Sequence, residues 1–128
     1  MEINTEVYNI YFDRSANIVV MEWDGYATSR QFREGTELML NTLIKHDTGK
    51  VLADVKDMLM IGMEDQQWLV ADFLPRAIKF GFKAIAIVKP DYYFNKVAIE
   101  SISDRMNEGL ALKIFDTVEQ AKLWLENV

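Results

Sequence analysis

From residue 18 onward, short β-branched runs alternate with longer segments whose apolar residues recur every three or four positions, a pattern that admits few folds. Ile18 to Trp23 precedes the stripe Phe32, Thr36, Met39, Leu40, Leu43 and Ile44. Val51 to Val55 precedes Leu69, Phe73, Ala77 and Phe80, and Ala84 to Val88 precedes Phe94, Val97, Ala98, Ile102 and Met106. Leu110 to Phe115 precedes Val118, Ala121, Trp124, Leu125 and Val128. Strands joined through a helix are expected to run parallel, with right-handed crossovers. Ahead of them, Val7 to Phe12 alternates through Tyr8, Ile10 and Phe12, and Ser15-Ala16-Asn17 turns it into the next strand as a β-hairpin. The order β-β-α-β-α-β-α-β-α predicts an α/β fold with five strands.

Local signals set the boundaries. Thr28-Ser29-Arg30-Gln31 and Thr117-Val118-Glu119-Gln120 have the form in which the first and fourth side chains satisfy each other's backbone amides at a helix start. The first helix is expected to stop before Thr48-Gly49 and the second, running from Glu64 to Phe80, at Gly81. Pro75 lacks an N–H and is expected to kink or split that second helix. His46, at the end of the first helix, reads as a favourable charge on the helix dipole.

With 128 residues, half of them hydrophobic, and no repeat or linker, residues 1–128 are expected to form a single domain with its own core. There is no Cys, which excludes a disulfide scaffold and fits a reducing compartment. Scattered basic residues, 14 against 20 acidic for a net charge of −6, argue against a nucleic-acid partner. No apolar run approaches the roughly 18 residues of a membrane span, so no integral membrane segment is expected. Met1-Glu2-Ile3-Asn4 has no basic leader, and the expected location is cytoplasmic.

Ligands of open α/β sheets usually sit beyond the carboxyl ends of the parallel strands. The polar candidates there are Asp54, Asp57, Lys89 and Asp91, with Asp24 and Asp116 beside them, residue types suited to acid–base or cation chemistry. Asp at a strand end more often caps or terminates an element, and Asp54 is expected to be mainly structural. No Ser-His pair, glycine-rich phosphate loop or His pair at metal spacing occurs, so neither a catalytic residue, a metal nor a cofactor is expected. Asp54 with Lys89-Pro90 resembles the phospho-acceptor and Lys-Pro pair of response-regulator receiver domains. Those domains place a further strand and helix between the two, which this chain lacks, leaving a phospho-receiver or carboxylate enzyme at Asp54 as a minor alternative.

Two apolar segments occupy positions where loops normally meet water. One is Met58-Leu59-Met60-Ile61-Gly62-Met63, with Trp68 beyond it; the other is Tyr92-Tyr93-Phe94. They either close the core or form a surface, and methionine suits a surface that adapts to varied apolar partners. The leading expectation is a non-enzymatic module that binds a protein partner or forms a homodimer through Met58, Leu59, Met60, Ile61, Met63, Trp68, Tyr92, Tyr93 and Phe94. The alternative is a pocket among the same residues for a small apolar or lipid-like ligand.

Five blocks, in order, carry a family resemblance: Trp23-Asp24-Gly25, Val51-Leu52-Ala53-Asp54-Val55, Glu64-Asp65-x-x-Trp68-Leu69, Pro75-Arg76-Ala77 and Gly81-Phe82-Lys83-Ala84-Ile85-Ala86. Together they resemble the small bacterial SpoIIAA-like, or STAS-related, proteins. The resemblance implies a five-stranded mixed sheet with helices largely on one face, akin to anti-sigma-factor antagonists and distantly to CRAL-TRIO lipid-transfer domains. Those antagonists carry a phosphorylatable Ser or Thr after the strand equivalent to Val51 to Val55. Lys56-Asp57-Met58-Leu59-Met60 has no hydroxyl, so a phosphate switch at that place is ruled out.

Overall fold

The computed structural model describes residues 3–4, 7–59, 61–90, 96–97, 99–100, 102 and 109–128. The strands are β1 (Ile3–Asn4), β2 (Tyr8–Asp13), β3 (Ile18–Gly25), β4 (Lys50–Met58), β5 (Ala84–Val88) and β6 (Ala111–Phe115). Helix α1 spans Ser29–His46; α2 (Met63–Trp68), a π-helical turn (Leu69–Phe73) and α3 (Leu74–Lys79) follow one another without a break, and α4 is Val118–Asn127. Residues 96–97, 99–100 and 102 are helical.

The strands lie side by side in chain order. β1, β2 and β3 pair antiparallel, and β3 to β6 pair parallel. The five predicted strands are present, and the two-residue β1 is added at the edge. When each parallel strand is laid beside its predecessor by a crossover of one hand, every crossover helix falls on the same face. Accordingly Phe32, Met39 and Leu43 of α1, Phe73 and Ala77 of the α2–α3 region, and Ile99 and Ile102 pack on one side, against Met21, Trp23, Ala53, Ile85 and Ile87. Only α4, which follows the last strand, crosses to the other side, where Ala121 and Leu125 cover Ile18, Val20, Leu52, Ala86 and Val88.

Thr28 starts α1 as a full reciprocal cap: its hydroxyl accepts from the Gln31 amide at 3.1 Å, and the Gln31 side chain accepts from the Thr28 amide at 2.9 Å. Of the predicted stripe, Phe32, Thr36, Met39, Leu40 and Leu43 are buried, while Ile44 faces solvent. The second helix divides where Pro75 stands in the first turn of α3. Just before it the Leu74 amide donates to the Leu69 carbonyl, five residues back, so the ladder shifts by one residue ahead of the missing N–H.

β4 differs from its prediction because it runs three residues past Val55. Glu22 pairs with Asp54 but Asp24 pairs with Asp57, so β4 holds one residue more than β3 over that stretch. Val51, Ala53 and Val55 face the three-helix side; strict alternation would send Met58 to the α4 side. The bulge returns Met58 to the three-helix core.

Candidate functional site

The carboxyl rim of β3 and β4 is built around residues 58 to 63. Met58 ends β4 fully buried, and the Leu59 amide donates to the Gly25 carbonyl at 2.9 Å, holding the two strand ends together. Ile61 turns back into the core, and its carbonyl accepts from the buried Gln66 side chain at 2.9 Å. Gly62 caps α2 with extended backbone, and Met63 opens the helix facing outward. The predicted apolar set is therefore divided. Met58 and Ile61 are core residues rather than surface, whereas Leu59 is 43% and Met63 66% exposed. Tyr26, 57% exposed, stands beside them after β3 and was not among the predicted apolar residues. Trp68 is half-buried between Phe73 and Phe32, with the Arg33 guanidinium 5.1 Å above its ring. Met60, Asp91, Tyr92, Tyr93 and Phe94 lie outside the described residues.

Beneath this segment is an internal cavity of about 70 Å³, bounded by β3, β4 and β5 on one side and by α1, the π-helical turn and Ile99 and Ile102 on the other. Among the described residues its walls are apolar apart from Thr36, whose hydroxyl already donates to the Phe32 carbonyl at 2.7 Å. At about 24 cal/mol per Å³, such an empty volume costs about 1.7 kcal/mol relative to a filled core.

The rim is tied to α1 by Asp65, which is buried. Its Oδ1 accepts from the Ser29 hydroxyl at 2.6 Å and from Arg33 Nε at 3.2 Å, so an acidic residue of the first turn of α2 acts as a clamp between helices. Nothing in the sequence distinguishes it from its neighbour Glu64, which is exposed; burial depends on which side of a short helix meets α1.

The predicted polar residues do not converge. Asp54 is half-buried within β4, and its Oδ1 accepts from the Lys56 amide at 3.2 Å. Lys89 makes a 2.6 Å salt bridge to Asp116 at the neighbouring strand end, which holds the Asp116 carboxyl below its ordinary pKa. Asp57 is exposed and lies opposite Asp24 in the β3–β4 ladder. Among the described residues no three His, Asp or Glu side chains are grouped to hold a metal ion. His46 departs from its expectation as a cation on the helix end. It stacks on Phe12 with ring centroids 4.1 Å apart, and that burial, with the Lys45 and Arg14 charges, pushes its pKa down and favours the neutral ring. On the opposite face β6 and α4 bound an open groove of about 620 Å³ containing Phe115, Leu123 and Trp124, a site formed only when α4 folds back.

Residues 18–126 match the family model described as SpoIIAA-like. No curated protein matches the chain. A crystal structure of an uncharacterised DUF3478-family protein from Shewanella loihica PV-4, described as having a SpoIIAA-like fold, is similar over 98% of both chains with a TM-score of 0.64. At 18% identity that likeness concerns the fold alone. No described helix is long and apolar enough to cross a membrane. With the family model spanning most of its length, from the second hairpin strand to the last helix, this chain belongs to the SpoIIAA-like family.

Proposed function

We propose that this chain is a non-enzymatic interaction domain that binds a partner protein through the carboxyl rim of its sheet. The observation that carries the reading is the exposure of Tyr26, Leu59 and Met63 on adjoining chain segments, with Leu59 bonded to the residue before Tyr26. Single exposed apolar residues are ordinary, but a cluster framed by polar ones is the signature of a contact surface.

Charge gives the partner's chemistry. Asp24, Asp57 and Glu64 stand exposed around the patch, and among the described residues none of them has an ion-pair partner. Lys56 is the nearby counter-charge, because Arg30 is already held by Glu34 at 2.9 Å. Two carboxylates facing each other across a ladder destabilise it until a cation joins them. A partner with an apolar anchor flanked by Lys or Arg meets both needs. A second copy of this chain, itself at −6, brings like-charged rims together and fits less well.

The test is retention by immobilised protein, comparing wild type with the double variant Leu59→Asp and Met63→Asp. Both replaced side chains are exposed, so the variant is expected to keep wild-type circular dichroism and to lose one dominant, salt-sensitive binder. Equal retention by a folded variant would refute the assignment.

A further inference from the structure

The cavity beneath the rim has properties that separate it from an ordinary packing gap. A buried water needs two to four polar partners, and among the described wall residues the only polar side chain, Thr36, has its hydrogen committed to Phe32. Among the described wall residues nothing is left to hold a water in place. Three of its wall residues, Met21, Met39 and Met58, have unbranched, polarisable side chains that shift to fit what they touch. Its wall on the helix side includes Leu69 and Phe73, the first and last residues of the π-helical turn, an uncommon geometry that recurs at functional positions. Met58, the last residue of β4, and Ile61, just ahead of α2, complete the wall below the rim.

We propose that this cavity is a binding site for a small, uncharged apolar molecule. The size follows from the volume. A dry cavity of about 150 Å³ takes benzene or xenon; at about 70 Å³ this one suits a guest of xenon or two-carbon hydrocarbon dimensions, not an acyl chain. The gain on binding is the dispersion contact that the empty walls lack. Such a site is independent of the partner surface above it, since Leu59 and Met63 point away from the guest.

Xenon is the probe. In protein labelled at the methionine methyls, xenon under pressure is expected to give saturable shifts at Met21, Met39 and Met58, with Met63 as the exposed control. Val55→Leu adds one methylene to a wall and is expected to weaken the apparent affinity about fourfold, the worth of one buried methylene. Absence of saturable shifts in the wild type, or equal shifts at Met63 that Val55→Leu leaves unchanged, would overturn the site. The wild-type titration decides the matter even if the variant does not fold.

Discussion

Two glycines show how far single atoms control this fold. A Cβ on Gly49 would lie 2.3 Å from the Gly81 carbonyl oxygen, where β4 and β5 begin and where Gly49 itself accepts from the Lys83 and Ala84 amides at 2.9 and 3.1 Å. Those neighbours are backbone and cannot rotate away. A Cβ on Gly35 would lie 2.6 Å from the Trp23 ring, a side chain that has some room to tilt, and alanine would improve the interior of α1 by about 1 kcal/mol. Overpacking against Trp23 costs about 1–3 kcal/mol, so Gly35→Ala is expected to lose up to about 2 kcal/mol and Gly49→Ala about 3 kcal/mol or more. Urea unfolding of the two variants checks the order, and a reversal would place the tighter contact at the helix. Neither contact is legible in the sequence. Gly49 reads there only as the stop of α1, because the residue it nearly touches is 32 positions away.

At the scale of elements, what the sequence conveys well is what depends on near neighbours. Ala84–Val88 is found where it is predicted because five consecutive apolar residues between Gly81 and Pro90 leave few other options. The Thr28 cap likewise needs only its own turn. The end of β4 was hidden because Lys56-Asp57 is polar and looks like loop, although it remains paired to β3 as far as Met58. The in-or-out division of Met58, Leu59, Ile61 and Met63 was hidden with it, since direction follows from the bulge and not from hydrophobicity. Deleting Lys56 removes the extra residue, makes Met58 the second residue after Val55 and is expected to leave it on the three-helix side by ordinary alternation, opposite Gly25 as before. The loss is expected to stay within about 1 kcal/mol, measured by thermal unfolding, because the buried methionine is kept. A deletion variant weakened by about 2–5 kcal/mol, the cost of withdrawing a buried methionine, would show that Met58 is not aimed by this register.

At the scale of the molecule, one face of the sheet is thickly covered and its carboxyl rim is left with apolar side chains framed by carboxylates. The fold follows from the order of elements and the family from residue blocks spread along the chain, both of which a sequence carries; a partner surface assembled from two strand ends and a helix start is not carried that way. Tyr26 was missed for this reason, since it joins the patch only when β3 and β4 lie side by side. The central claim is that this rim meets a basic, apolar-anchored protein. Site-specific photo-crosslinking addresses it most directly, with the reactive group at position 63 and, as a control, at position 126 on the far end of α4, in the cells that normally make the protein. The account predicts one dominant adduct at position 63, distinct in mass from a dimer of this chain, weakened by salt and absent at position 126. An adduct pattern at position 63 no different from that at position 126 would contradict it.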